Sequence, residues 1–135
     1  MTTDRFSVDK TFTHCGYTCV IATIKDDYHC GYIAIPDEHN MAGKDYTEID
    51  VTVHGGLTFG PQNDLHGMGE DDDTVWYGFD CAHAGDHTRS MPGGTNWQSE
   101  DVREELLNLA EQFRDLDTSE TKSIYSLMQG FLPWN

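Results

Sequence analysis

YTCVIATIKDDYHCGYIAIP, residues 17–36, is the stretch on which the fold turns. Residues 17–24 are β-branched and aromatic, KDDYH is polar, and CGYIAIP at 30–36 is apolar again. Two such runs around a short polar break read as a β-hairpin. Pro36 ends the second run, because it has no N–H to give to a ladder.

Further along, IDVTVHGGLTF at 49–59 alternates cleanly. Ile49, Val51 and Val53 fall on one side, with Asp50, Thr52 and His54 on the other, which predicts a strand. Gly55 and Gly56 interrupt it, as at a bulge or a close backbone approach. TVWYGFD at 74–80 predicts another strand, with Val75, Tyr77 and Phe79 on one face and Trp76, Gly78 and Asp80 on the other. The intervening segments at 37–46 and 60–73 are rich in turn residues.

From Ser99 the period changes. Val102, Leu106, Leu109, Ala110, Phe113 and Leu116 form a stripe at helical spacing. Ser99 is the expected N-cap, and Glu100 and Asp101 suit the positive end of the helix dipole. A second helix is expected from Asp117 to about Gln129, where Asp117 and Glu120 suggest a capping box and Gly130 and Pro133 a stop. Strands followed by helices predict an α+β fold: an antiparallel sheet of four to five strands, then two C-terminal helices packed on one face. One domain is expected over 1–135, strand-rich at 5–81, looped at 82–98 and helical at 99–130.

Composition narrows the function. The formal net charge is −16, from 24 acids against 8 bases. Such a surface repels nucleic-acid backbones and anionic membranes. High-salt adaptation, imitation of nucleic acid and plain solubility each account for it. No apolar run reaches the ~18 residues that span a bilayer, and MTTDRFSVDK has no signal-peptide layout. A cytoplasmic protein is expected, with Cys15, Cys19, Cys30 and Cys81 as reduced thiols. On one strand Cys15 and Cys19 would lie ~13 Å apart, too far for zinc–sulfur bonds of ~2.3 Å. There is no G-x-S-x-G elbow and no P-loop Gly-Lys-Ser/Thr.

The chemistry-bearing residues gather in GFDCAHAGDH, 78–87, and at the end of the 49–59 run. His54, Asp80 and His83 are the candidate catalytic set, with Asp50 and His87 as outer candidates. A His–Asp pair does acid–base work when the carboxylate orients the ring. The same three, His54, Asp80 and His83, are the candidate ligands for a divalent metal, zinc or manganese, which would activate water. Gly55, Gly56, Trp76 and Asp86 are the candidate ligand-binding residues. The glycine amides would cradle an anion, as backbone nests do, or the glycines only form a bulge that aims His54. Asp80 and His83 have a structural alternative as turn-capping and loop-holding groups. Tyr32, Phe59, Trp76 and Trp97 would stack on a planar ligand or fill the core. GEDDD at 69–73 lacks the spacing of an EF-hand and reads as a solvated loop. Cys81 beside Asp80 is a poor nucleophile, since the acid raises the thiol pKa.

HGGLTF at 54–59, LHG at 65–67 and WYGFDCAHAGD at 76–86, with CGYIAIP…H…GKDY between Cys30 and Tyr46 and VREELLNLAEQF at 102–113, resemble a family of small phage and prophage proteins of uncharacterised activity. The resemblance spans roughly residues 15–113 and leaves out the acidic bias and the tail from Arg114. It implies a viral accessory protein acting inside the host cell. Joined to the residue reading, it leads to a His/Asp pocket for a small, nucleotide-like ligand, such as a host immune messenger that the protein sequesters. The alternatives are a metal-dependent hydrolase using the same residues, and an acidic inhibitor that binds a host protein by imitating nucleic acid.

Overall fold

The computed structural model describes residues 6–65, 73–82 and 85–118. Five strands form one antiparallel sheet: β1 (Phe6–His14), β2 (Tyr17–Ile24), β3 (Tyr28–Pro36), β4 (Phe59–Gln62) and β5 (Thr74–Asp80), in the order β1-β2-β3-β5-β4. The 17–36 hairpin sits at the centre, with Ile24 opposite Tyr28 and Thr18 opposite Ala34. The single α-helix of the described residues, α1 (Ser99–Leu116), lies over one face. The α+β class and the antiparallel sheet are therefore as expected.

Register explains the two faces. Tyr17, Cys19, Ile21, Ile33, Ile35, Val75, Tyr77 and Phe79 project toward α1 and meet its buried stripe of Val102, Leu106, Leu109, Ala110 and Phe113. Val20, Ala22, Cys30 and Tyr32 project the other way and form a smaller cluster with Leu65. Two glycines let aromatic rings lie flat across the strands. A Cβ on Gly31 would stand 2.6 Å from the Phe79 ring, and one on Gly78 would stand 2.5 Å from the Tyr32 ring.

Both hairpins close tightly. Cys15 and Gly16 take positive φ, as a two-residue hairpin loop requires. In the β2–β3 turn Lys25 and Asp26 also take positive φ, at a cost of about 1 kcal/mol each. Arg89 offsets it: its guanidinium donates to the Lys25 and Asp26 carbonyls at 2.6 and 2.9 Å, and its backbone N–H donates to the Asp27 carboxylate at 2.8 Å. On the outer strand, the β1–β2 register slips between Val8 and Lys10.

Three expectations need correction. The 49–59 run is not a strand until Phe59. Its alternation is real, since Ile49, Val53 and Leu57 are buried. At Thr52 and His54, however, its backbone bonds go to helix side chains instead of a neighbouring strand. The Gln112 amide donates to the Thr52 carbonyl and accepts its N–H, both at 2.7 Å, and Glu105 accepts the His54 N–H at 2.7 Å. Helix α1 begins at Ser99 as expected, but its N-cap is Gln98 rather than Ser99, and Asp101 accepts the Gln98 N–H at 2.9 Å. A second C-terminal helix is not borne out: Asp117 is extended and caps α1, and residues 119–135 lie outside the described part.

Candidate functional site

The expected partner of His54 was Asp80, and the structure gives it Asp86. Nε2 of His54 stands 2.9 Å from both Asp86 oxygens. A carboxylate only accepts, so Nε2–H is the donor. Asp86 is 3% exposed, and the His54 side chain is 21% exposed. Trp97 lies against the imidazole, with ring centroids 3.9 Å apart. A buried carboxylate thus orients a partly exposed ring that an indole holds from the side.

The loop after β5 builds this arrangement by folding back on itself. Asp86 bridges to Thr95, the His87 N–H donates to the Thr95 carbonyl at 2.7 Å, and the Thr95 N–H donates to Gly85 at 2.8 Å. Gly94 permits the approach, for a Cβ there would sit 2.4 Å from the Asp86 carbonyl carbon. The returning strand delivers Trp97 just before α1.

Asp80 lies elsewhere. It pairs in register with Cys30 and so projects to the face away from α1. It accepts from the Thr58 hydroxyl and from the Ala82 N–H, each at 3.1 Å. His54 and Asp80 therefore stand on opposite sides of the sheet, which overturns their expected convergence. Among the described residues no group of three or more His, Cys, Asp or Glu side chains is placed to hold a metal. His83 lies outside the described residues. The Gly55–Gly56 pair is a turn, not a bulge: both residues have positive φ, and the Gly56 N–H donates to the Val53 carbonyl at 2.8 Å. That amide is engaged and does not serve an anion. Trp76 is half-buried on the face of Asp80, and Asp50 is exposed.

Two recesses share Tyr28, at the end of the central hairpin, as a lining residue. On the face away from α1, a recess of about 230 Å³ is lined by Tyr28, Tyr32, Phe59 and Cys30, with Thr58 and Asp80 at its rim. Phe59 stands edge-on to Tyr32 at 5.2 Å. On the α1 side, a polar cleft of about 140 Å³ is lined by Asp27, Tyr28, His87, Asn96, Trp97 and Gln98, with His29 and Cys81 beside them. Trp97 ties this cleft to the His54–Asp86 pair. In His87, Nδ1 stands 2.6 Å from the Pro92 carbonyl and must carry the proton. The lone pair of the neutral ring is then on Nε2.

Burial raises the pKa of all four thiols. Burial pushes Cys30 up to about 12, with Asp80 adding to it against a hydrogen bond from Tyr32. Burial also raises Cys81 far above its ordinary value, and the nearby Asp86 carboxylate raises it further. Cys15 occupies the first turn and Cys19 the core.

Sequence reasoning ranked Asp86 below Asp80, and it missed Tyr28 and the lining amides. The signal was present in part: Asp86 and His87 stand in the same motif, and Tyr28 sits at the hairpin turn. Nothing in the spacing says that the loop returns Trp97 to His54. Comparison with family models, curated proteins and solved structures finds no match.

Proposed function

We propose that the protein binds a small, planar, nucleotide-like ligand at the hairpin end and acts by sequestering it. The observation that carries this reading is an aromatic recess and a polar cleft that share Tyr28 in their linings. Tyr28, Tyr32 and Phe59 offer ring faces and edges to a heterocycle. Asp80 and Thr58 at the rim accept hydrogen bonds from ring N–H and amino groups, which fixes the orientation. The His54–Asp86 pair supports the cleft wall through Trp97. The viral accessory role, with a host messenger as the ligand, rests on the resemblance of HGGLTF and GFDCAHAGD to phage proteins.

A thermal-shift panel of bases, nucleosides, and linear and cyclic nucleotides tests the reading. A ligand at ~100 times its Kd adds about 2.7 kcal/mol to stability, which moves the midpoint by several degrees. At least one member should do so with the wild type and fail to do so with Tyr28→Ala and Asp80→Asn. A flat wild-type response across the panel rejects the reading.

A further inference from the structure

We infer that the polar cleft seats the sugar ring of a nucleoside, whose base lies in the aromatic recess on the other side of Tyr28. The inference rests on the ligand reading above and specifies which part of the ligand each recess takes.

The cleft has the chemistry that a sugar requires. A furanose offers C–H faces, which pack on an aromatic plane, and adjacent hydroxyls, each able to donate and accept. Trp97 supplies the plane. Asp27, Asn96, Gln98 and His87 supply the polar partners. The Asp27 carboxylate is held in place by the Arg89 N–H at 2.8 Å. His87 is held by its bond to the Pro92 carbonyl, and this makes its lining nitrogen an acceptor. The Asn96 amide and the Tyr28 hydroxyl make no hydrogen bond to another described residue. A carboxylate and an amide lining one cleft match a vicinal diol, which can donate to one and both donate to and accept from the other.

Charge points the same way. Among the described residues no lysine or arginine lines the cleft, the Arg89 guanidinium being engaged by the Lys25 and Asp26 carbonyls, and the chain carries −16 overall. A phosphate entering would meet the Asp27 carboxylate and no lysine or arginine among the described lining residues, whereas hydroxyls meet no repulsion. The volume of about 140 Å³ is small beside that of the recess intended for the base. The ligand is therefore recognised by its neutral parts, and any phosphate it carries projects into solvent.

Isothermal titration with matched sets of free base, ribonucleoside, 2′-deoxyribonucleoside and 5′-monophosphate tests the assignment. For the base that binds, the ribonucleoside should bind about tenfold tighter, the equivalent of about 1.4 kcal/mol. The 2′-deoxy form should lose most of that gain, and the 5′-phosphate should add nothing. His87→Ala should bring the nucleoside down to the affinity of the free base while leaving base binding unchanged, and that unchanged binding also shows that the variant is folded. If base and nucleoside bind equally, the sugar seat is wrong while the ligand reading stands. If the phosphate adds tenfold, the neutral-recognition argument is overturned. If no member of any set binds, both readings fall together.

Discussion

At the scale of single residues, the strongest polar element of the described site is His54 on Asp86. A buried carboxylate that loses its donor keeps its desolvation cost, so removing either partner is expensive. We expect Asp86→Asn to cost about 1–3 kcal/mol, and much less in a His54→Ala background. A double-mutant cycle from urea denaturation should give a coupling of about 1–2 kcal/mol. Additivity within about 0.5 kcal/mol would mean that the pair contributes no mutual stabilisation. Both residues were legible as candidates from type and position. Their pairing was not. Alternation correctly placed Asp80 on the side of Trp76, but it does not say which side of the sheet a helix 20 residues later will cover. His39 shows the same limit. It is 2% exposed, accepts the Met41 N–H at 2.9 Å on Nδ1 and donates from Nε2 to the Phe113 carbonyl at 2.8 Å. Its bond partner on α1 is 74 positions away, and no local pattern marks it.

At the scale of elements, residues 49–58 are the instructive case. Their period of two is that of a strand, because an extended chain with one buried side has that period whatever its backbone bonds to. Pattern therefore predicts extension and burial, which hold, and not ladder membership, which fails. The amide of Gln112 stands in for a neighbouring strand at Thr52. Gln112→Ala should cost about 1–2 kcal/mol, because two backbone groups lose their partner. Hydrogen exchange gives the sharper readout: the Thr52 amide should exchange faster in this variant while the β2 and β3 amides keep their protection. Equal loss of protection in both places would show that the segment and the sheet open as one unit. The helix, by contrast, was legible almost to the residue, because a 3.6-residue stripe admits one packing face. Its cap differed by one position because Asp101 reaches back to the Gln98 N–H.

At the scale of the whole molecule, the core is built around groups that must stay protonated. Cys19 and Cys30 are pushed up to about 12 and Tyr77 to about 12, each mainly by burial. A folded-state pKa raised above the unfolded value gives stability that is fully present below the unfolded pKa and is lost as pH rises toward the folded one. The ordinary values are 9.0 for the thiols and 10.0 for the phenol. The unfolding midpoint should therefore fall steadily from about pH 9 to about pH 12. The decline should be shallower in the Cys19→Ala, Cys30→Ala double variant than in the wild type. A midpoint unchanged up to pH 11 would contradict the burial of these groups. The slip in register between Val8 and Lys10 has a consequence at this scale too. β1 is an outer strand, and Ser7 to Thr11 are exposed. An open edge of that length invites strand-by-strand growth from molecule to molecule. The bulge breaks the row of amides and carbonyls, and Asp9 and Lys10 place charges at the break. An incoming strand cannot stay aligned past that point, so the bulge guards the edge against aggregation.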